Sequence, residues 1–188
     1  YLKPHSKLVY AKMFGKDRSV SLVGEAYFEV MKDAAHPFVI TGDRTETKVL
    51  GTSFNLLSRA QAQSISVRTG KVSYRVLATG KMETLTANQR AELGPHNELS
   101  TQHVPADRYM AWTRGELSFD DMPLREIIPQ LEEWYGTRFM LDDARLAKAT
   151  FTGRFKDPTI HELLRSMGFA LKFDYSIKDS TIALKPQH

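Results

Sequence analysis

One ten-residue pattern occurs twice in this chain. Phe119-Asp120-Asp121-Met122-Pro123-Leu124-Arg125-Glu126-Ile127-Ile128 is echoed 36 residues later by Phe155-Lys156-Asp157-Pro158-Thr159-Ile160-His161-Glu162-Leu163-Leu164. Each copy reads as a strand end, an acidic helix cap, a proline in the first turn and an apolar stripe with a glutamate at one fixed place. An internal repeat limits the architecture more than any single residue can, because each copy must form the same unit and the two must bury one face between them. The spacing predicts two β-α-β units packed as a small α+β module.

The details of each copy follow from pattern. In the first, Glu116-Leu117-Ser118-Phe119 is a strand, Asp121 is the expected N-cap, and Gly136 is the expected stop. Leu124, Ile127, Ile128, Leu131 and Tyr135 make one apolar helical stripe flanked by Trp134, and Arg138-Phe139-Met140-Leu141 returns as a strand. In the second, Thr150-Phe151-Thr152-Gly153-Arg154-Phe155 is the strand and Asp157 the expected cap, with Ile160, Leu163, Leu164 and Met167 as the stripe. Gly168 is the expected stop, which makes this helix about one turn shorter, and Leu171 to Tyr175 is the return strand. A last strand, Thr181-Ile182-Ala183-Leu184, follows a turn at Lys178-Asp179-Ser180. Pro129 falls inside the first helix, where a proline loses a hydrogen bond and clashes with the preceding turn, so a kink is expected there.

The first 104 residues have a different rhythm. Short β-branched and aromatic runs follow one another, among them Val20 to Val30, Phe38-Val39-Ile40, Ser53 to Leu57, Ile65-Ser66-Val67 and Val72 to Val76. Turn residues separate them at Gly15-Lys16-Asp17, Thr41-Gly42-Asp43, Thr69-Gly70-Lys71, Thr79-Gly80-Lys81 and Gly94-Pro95-His96-Asn97. This predicts an all-β domain over residues 1–104, an antiparallel sandwich or roll or a solenoid-like stack, with Gly70 at positive φ. Residues 105–114 read as a linker with a helical turn or two after Pro105, and 115–188 as the repeat domain.

Composition closes off several functions. The chain has no cysteine, which removes disulfides, thiolate metal sites and cysteine nucleophiles and suits an oxidising compartment. Residues 1–104 carry 14 Lys+Arg against 9 Asp+Glu, and residues 105–188 carry 12 against 13. The surplus positive charge is scattered along the first part, not clustered as a nucleic-acid footprint would be. No run of apolar residues is long enough to cross a membrane, and the chain opens on Tyr1, which reads as a fragment of something longer.

No catalytic constellation is visible. His5, His36, His96, His103, His161 and His188 stand apart without metal-ligand spacing, and His161 is expected at an exposed position. Asp120-Asp121 and Asp142-Asp143 are carboxylate pairs, but capping accounts for the first and a turn between strands for the second. Glu25 and Glu29 fit strand alternation, facing solvent or pairing with nearby lysines. Neither a serine elbow nor a phosphate loop is present. Trp112, Trp134 and Tyr135 could form a platform for a sugar or partner, yet aromatics beside an apolar stripe are more often core. The residues read as a non-catalytic chain without metal or cofactor.

Several strings together carry a resemblance. Gly24-Glu25-Ala26-Tyr27-Phe28-Glu29-Val30, His36-Pro37-Phe38-Val39-Ile40, Val49-Leu50-Gly51-Thr52-Ser53-Phe54-Asn55 and Ser66-Val67-Arg68-Thr69-Gly70-Lys71-Val72 resemble successive blocks of the FecR family of sigma-factor regulators. The segment from Trp112 through the second repeat is similar to the C-terminal domain of FecR-like proteins of Bacteroidota, itself similar to the short N-terminal (STN) signalling domain of secretins and TonB-dependent receptors. Pro129 departs from that pattern.

The resemblance implies an anti-sigma factor of the inner membrane. A cytoplasmic segment, absent here, would hold an extracytoplasmic-function (ECF) sigma factor, and a single helix, also absent, would cross the membrane. This chain would be the periplasmic sensor, without membrane contact of its own. Its partner would be the signalling domain of an outer-membrane TonB-dependent transporter. Docking by strand addition is expected at Thr181-Ile182-Ala183-Leu184 or Thr150-Phe151-Thr152-Gly153-Arg154-Phe155. The alternatives are a carbohydrate-binding or glycan-processing β-domain with an accessory module, and an assembly module like those of secretins.

Overall fold

The long strand Arg18–Glu29 organises the first half of the molecule. The computed structural model describes residues 1–11 and 18–187, and the expected turn at Gly15-Lys16-Asp17 and His188 lie outside these. Two units are present, Tyr1–Thr113 and Arg114–His188. The strands of the first unit are β1 (Lys7–Tyr10), β2 (Arg18–Glu29), β3 (Phe38–Thr41), β4 (Thr45–Val49), β5 (Ser53–Arg59), β6 (Ala62–Thr69), β7 (Lys71–Val76), β8 (Met82–Thr86), β9 (Gln89–Leu93) and β10 (Leu99–His103). They form one sheet in the order β10-β9-β6-β5-β2-β3-β4-β7-β8, with β1 also paired to β2.

β2 serves both halves of that sheet. Arg18 to Ser21 pair with β3, in parallel, and Gly24 to Glu29 pair with β5, antiparallel. The crossing point is Gly24, at φ +108°, where a Cβ would lie 2.3 Å from Ser6 Oγ. Only glycine fits there. The sheet curls into a roll rather than a solenoid. Its inner face carries alternating residues of these strands, including Val20, Leu22, Ala26, Phe54, Leu56, Ile65, Val67, Val72 and Tyr74. Gly70 links β6 to β7 at φ +82°, as expected.

The second unit contains the repeat. Its elements are β11 (Glu116–Pro123), α1 (Leu124–Tyr135), β12 (Arg138–Leu141), α2 (Ala144–Lys148), β13 (Thr150–Lys156), α3 (Ile160–Leu171), β14 (Phe173–Lys178) and β15 (Thr181–Pro186). The two β-α-β units are therefore β11-α1-β12 and β13-α3-β14. Their first strands pair with each other antiparallel, whereas their second strands are separated by β15, giving the order β12-β15-β14. One apolar core takes side chains from both sheets and all three helices, including Phe119, Leu124, Ile127, Leu131, Leu146, Phe151, Leu163, Met167, Phe173 and Ile182.

The structure differs from several expectations about the repeat. Asp121 and Asp157 are not caps. Both lie in the left-handed region at φ +45°, Asp121 at a bulge where Asp120-Asp121 oppose Thr152. Short polar side chains tolerate that conformation, so the same residue type that favours a cap serves a bulge or turn here. The actual N-caps are Pro123, with no side-chain bond, and Thr159, in a capping box with Glu162. Gly168 does not stop α3. The helix runs on to Leu171 and exits through Lys172 at φ +56°, the counterpart of Gly136 at +65°. The two helices thus have 12 residues each, and the missing turn does not exist. Gly168 is instead buried where a Cβ would come 2.7 Å from the Phe173 carbonyl oxygen. Asp142-Asp143 do not form a simple strand-to-strand turn. Asp143 caps α2, accepting from the N–H groups of Arg145 and Leu146 at 2.8 Å each. α1 continues through Pro129 as one helix.

Candidate functional site

The strand edges of the second unit are the first candidate. Residues 181–184 are excluded, because β15 is the central strand of its sheet and both its sides are already paired. On β12, the outer-edge N–H of Phe139 is taken by the Glu132 carboxylate at 2.8 Å. A side chain that occupies an edge donor competes with an incoming strand. β13 is different: its pairing is with β11 alone among the described residues. Asp157 N–H donates to the Gly115 carbonyl. In an antiparallel ladder the N–H groups of Phe155 and Gly153 then also point to β11, and that of Arg154 points outward.

The helices of this unit are tied across the repeat. Tyr135, at the end of α1, donates its hydroxyl to the Pro158 carbonyl at 2.7 Å, just before α3. Burial, reinforced by the negative charge of Glu162, pushes its pKa up to about 12. It is a strut rather than part of a platform. Trp134 is half-buried against the same core. His161 is exposed, as expected, and sits against the Tyr175 hydroxyl at 3.3 Å.

The second candidate is a polar network on the outer face of the first unit. Strand register sets Tyr27, Asn55, Ser66 and Arg90 in one row across β2, β5, β6 and β9. The segment after β10 folds back along that row as two short 3-10 turns, Ala106–Tyr109 and Ala111–Arg114. Ala106 and Met110 bury Tyr27, with Trp112 packed beside them. Arg90 lies over the Tyr109 ring at 4.1 Å, and Arg68 meets Asp107 at 3.3 Å.

Trp112 Nε1 donates to Asn55 Oδ1 at 3.0 Å, and Asn55 Nδ2 donates to Glu25 Oε1 at 2.9 Å. The other oxygen of Glu25 holds Lys3 Nζ at 2.7 Å, so this glutamate pairs with a lysine as its position allowed. Glu29 accepts the Tyr27 hydroxyl at 3.0 Å. Nothing in the sequence indicated that a later segment would cover the Tyr27 ring.

Among the described residues no group of three or more histidines, aspartates or glutamates gathers to hold a metal ion, and no helix is long and apolar enough to cross a membrane. Asp33 caps its own turn by accepting from the N–H groups of Ala35 and His36, and its carboxylate meets His36 Nδ1 at 2.9 Å. That contact with His36 holds the Asp33 carboxyl below its usual range.

An all-β roll and a two-copy β-α-β module are the architecture that the sequence predicted. The family comparisons agree: residues 1–73 match the model described as FecR protein, and residues 116–184 match the one described as FecR, C-terminal. The chain belongs to the FecR family of anti-sigma factors. No curated protein matches it. Two crystal structures, at 1.65 and 2.50 Å, of a protein from Parabacteroides distasonis ATCC 8503 provisionally assigned as an anti-sigma factor are similar to it. Both have a TM-score of 0.81 and 26% identity, covering 100% of this chain and 89% of the other.

Proposed function

We propose that this chain is the periplasmic, non-catalytic sensor of its anti-sigma factor. It takes a signal from the signalling domain of an outer-membrane TonB-dependent transporter and passes it to an ECF sigma factor by protein contact. The observation that carries this reading is the open outer edge of β13 within the family's C-terminal region. An unpaired edge offers main-chain donors and acceptors to a strand of a partner, and alternate side chains give selectivity. The alternating Thr152, Arg154 and Lys156 are exposed along that strand.

A pull-down against the signalling domains of transporters encoded beside this gene tests the relay, and capture of none of them overturns it. Arg154→Pro tests the docking mode. Proline at an outward N–H removes an edge donor without breaking a bond to β11, so binding is expected to be lost while the fold survives, as monitored by circular dichroism. Unchanged binding by Arg154→Pro assigns docking to another surface.

A further inference from the structure

The segment that leads into the second unit and the first residues of the chain are connected through one chain of side chains. We propose that Lys3, Glu25, Asn55 and Trp112 form a mechanical relay, so that residues 106–113 and Tyr1 to Lys3 loosen or tighten together. Three observations support it.

First, both segments pack against the same stretch of β2. Lys3 N–H donates to the Glu25 carbonyl and Tyr27 N–H donates to the Tyr1 carbonyl, each at 3.0 Å, an addition to the edge of β2. Residues 106–113 rest on the other side chains of the same stretch, with Tyr27 beneath Ala106 and Met110.

Second, the links between them are continuous. Trp112 donates to Asn55, Asn55 donates to Glu25, and Glu25 accepts from Lys3, all between 2.7 and 3.0 Å. Lys3 Nζ also lies 6.0 Å from the centre of the Trp112 ring, which closes the circuit with a cation–π contact.

Third, the middle of the relay is shielded. Asn55 is 3% exposed, and the side chains of Lys3 and Glu25 are 17% and 14% exposed. Removing Trp112 from Asn55 leaves a buried amide oxygen without its donor. That penalty falls on a group whose other end orients Glu25 and, through it, Lys3. Coupling of this kind is reciprocal: whatever the covering segment does to the first residues, the first residues do to it.

The geometry carries the coupling itself, whereas its use in signalling rests on the function proposed above. Residue 113 is followed directly by the second unit.

Hydrogen exchange read by mass spectrometry on the 188-residue chain tests the relay without any partner. Trp112→Phe keeps the ring and deletes the donor; the amides of Lys3 and Tyr27 should exchange about fivefold faster or more. Lys3→Met should speed exchange at Arg108, Met110 and Thr113 by a similar factor, and the two changes together should give less than the product of their separate effects. Unchanged exchange in β7 reports that the roll is intact. The relay is overturned if each substitution accelerates only its own segment, or if the two effects multiply independently.

Discussion

Helix α1 starts at Pro123 with no side chain on its free N–H groups, whereas α3, 36 residues on, starts at Thr159 inside a capping box. The helices are equally long, and each follows a left-handed aspartate. Each also ends on a left-handed residue, glycine in one copy and lysine in the other. The backbone of the repeat is the same, but the interactions that maintain it are not. α3 is secured locally by its cap. α1 has no such cap and is held by Glu132 to Phe139 N–H, by Tyr135 to the Pro158 carbonyl, and by the fully buried Leu124, Ile127 and Leu131. An interior proline costs about 3 kcal/mol. Burial of three aliphatic side chains, at about 1.5–3 kcal/mol each, outweighs it. A repeat can therefore keep its geometry while its copies exchange local signals for tertiary ones.

The largest test of that comparison is in the core. Ile127 and Leu163 are equivalent positions, both fully buried. If one core serves both copies, Ile127→Ala and Leu163→Ala should each cost about 2–5 kcal/mol in urea unfolding. A large loss in only one copy would break the equivalence.

A smaller effect separates the copies at the next pair. Gly168 in α3 corresponds to Glu132 in α1. A Cβ on Gly168 would press on the backbone of Phe173, so Gly168→Ala should destabilise by about 1–3 kcal/mol, read as a lowered thermal midpoint. Glu132→Ala meets no such obstacle and should act chiefly by uncovering the Phe139 N–H.

The smallest effect is at the caps. Thr159→Ala should cost about 1 kcal/mol, and Pro123→Ala should lack any side-chain cap to lose. The difference should depend on pH. The Thr159 hydroxyl and N–H both bond the Glu162 carboxylate and hold its pKa below the ordinary 4.5. Its contribution is complete above that unfolded value and is lost as pH falls through the lower folded one. The stability gap between wild type and Thr159→Ala should therefore narrow below about pH 4.5 in thermal scans.

Much of this was legible in the chain. Alternation of Val20, Leu22 and Gly24 with Ser21 and Val23 marked the inner face of β2, and the stripe of Leu163, Leu164 and Met167 marked the buried side of α3. The period of apolar residues reports which side faces a core, because burial itself imposes that period. The α2 helix was also within reach, since Asp143 precedes a run of helix formers, but five residues are too short to register as a periodic element. Of the candidate edges, Thr150 to Phe155 kept its open side, and Thr181 to Leu184 proved to be central.

The amino-acid sequence by itself determined the two copies, their strand–helix–strand order, the β-rich first half and the family strings. These are local properties, set by residues a few positions apart. Only the tertiary structure decided that β15 fills the gap between β12 and β14, that Gly168 admits Phe173, and that residues 106–113 cover Tyr27 and reach Lys3 through Asn55 and Glu25. Each of those depends on which distant segments meet. The side chains involved have the same composition and spacing whether or not a partner arrives, so no local pattern could announce them.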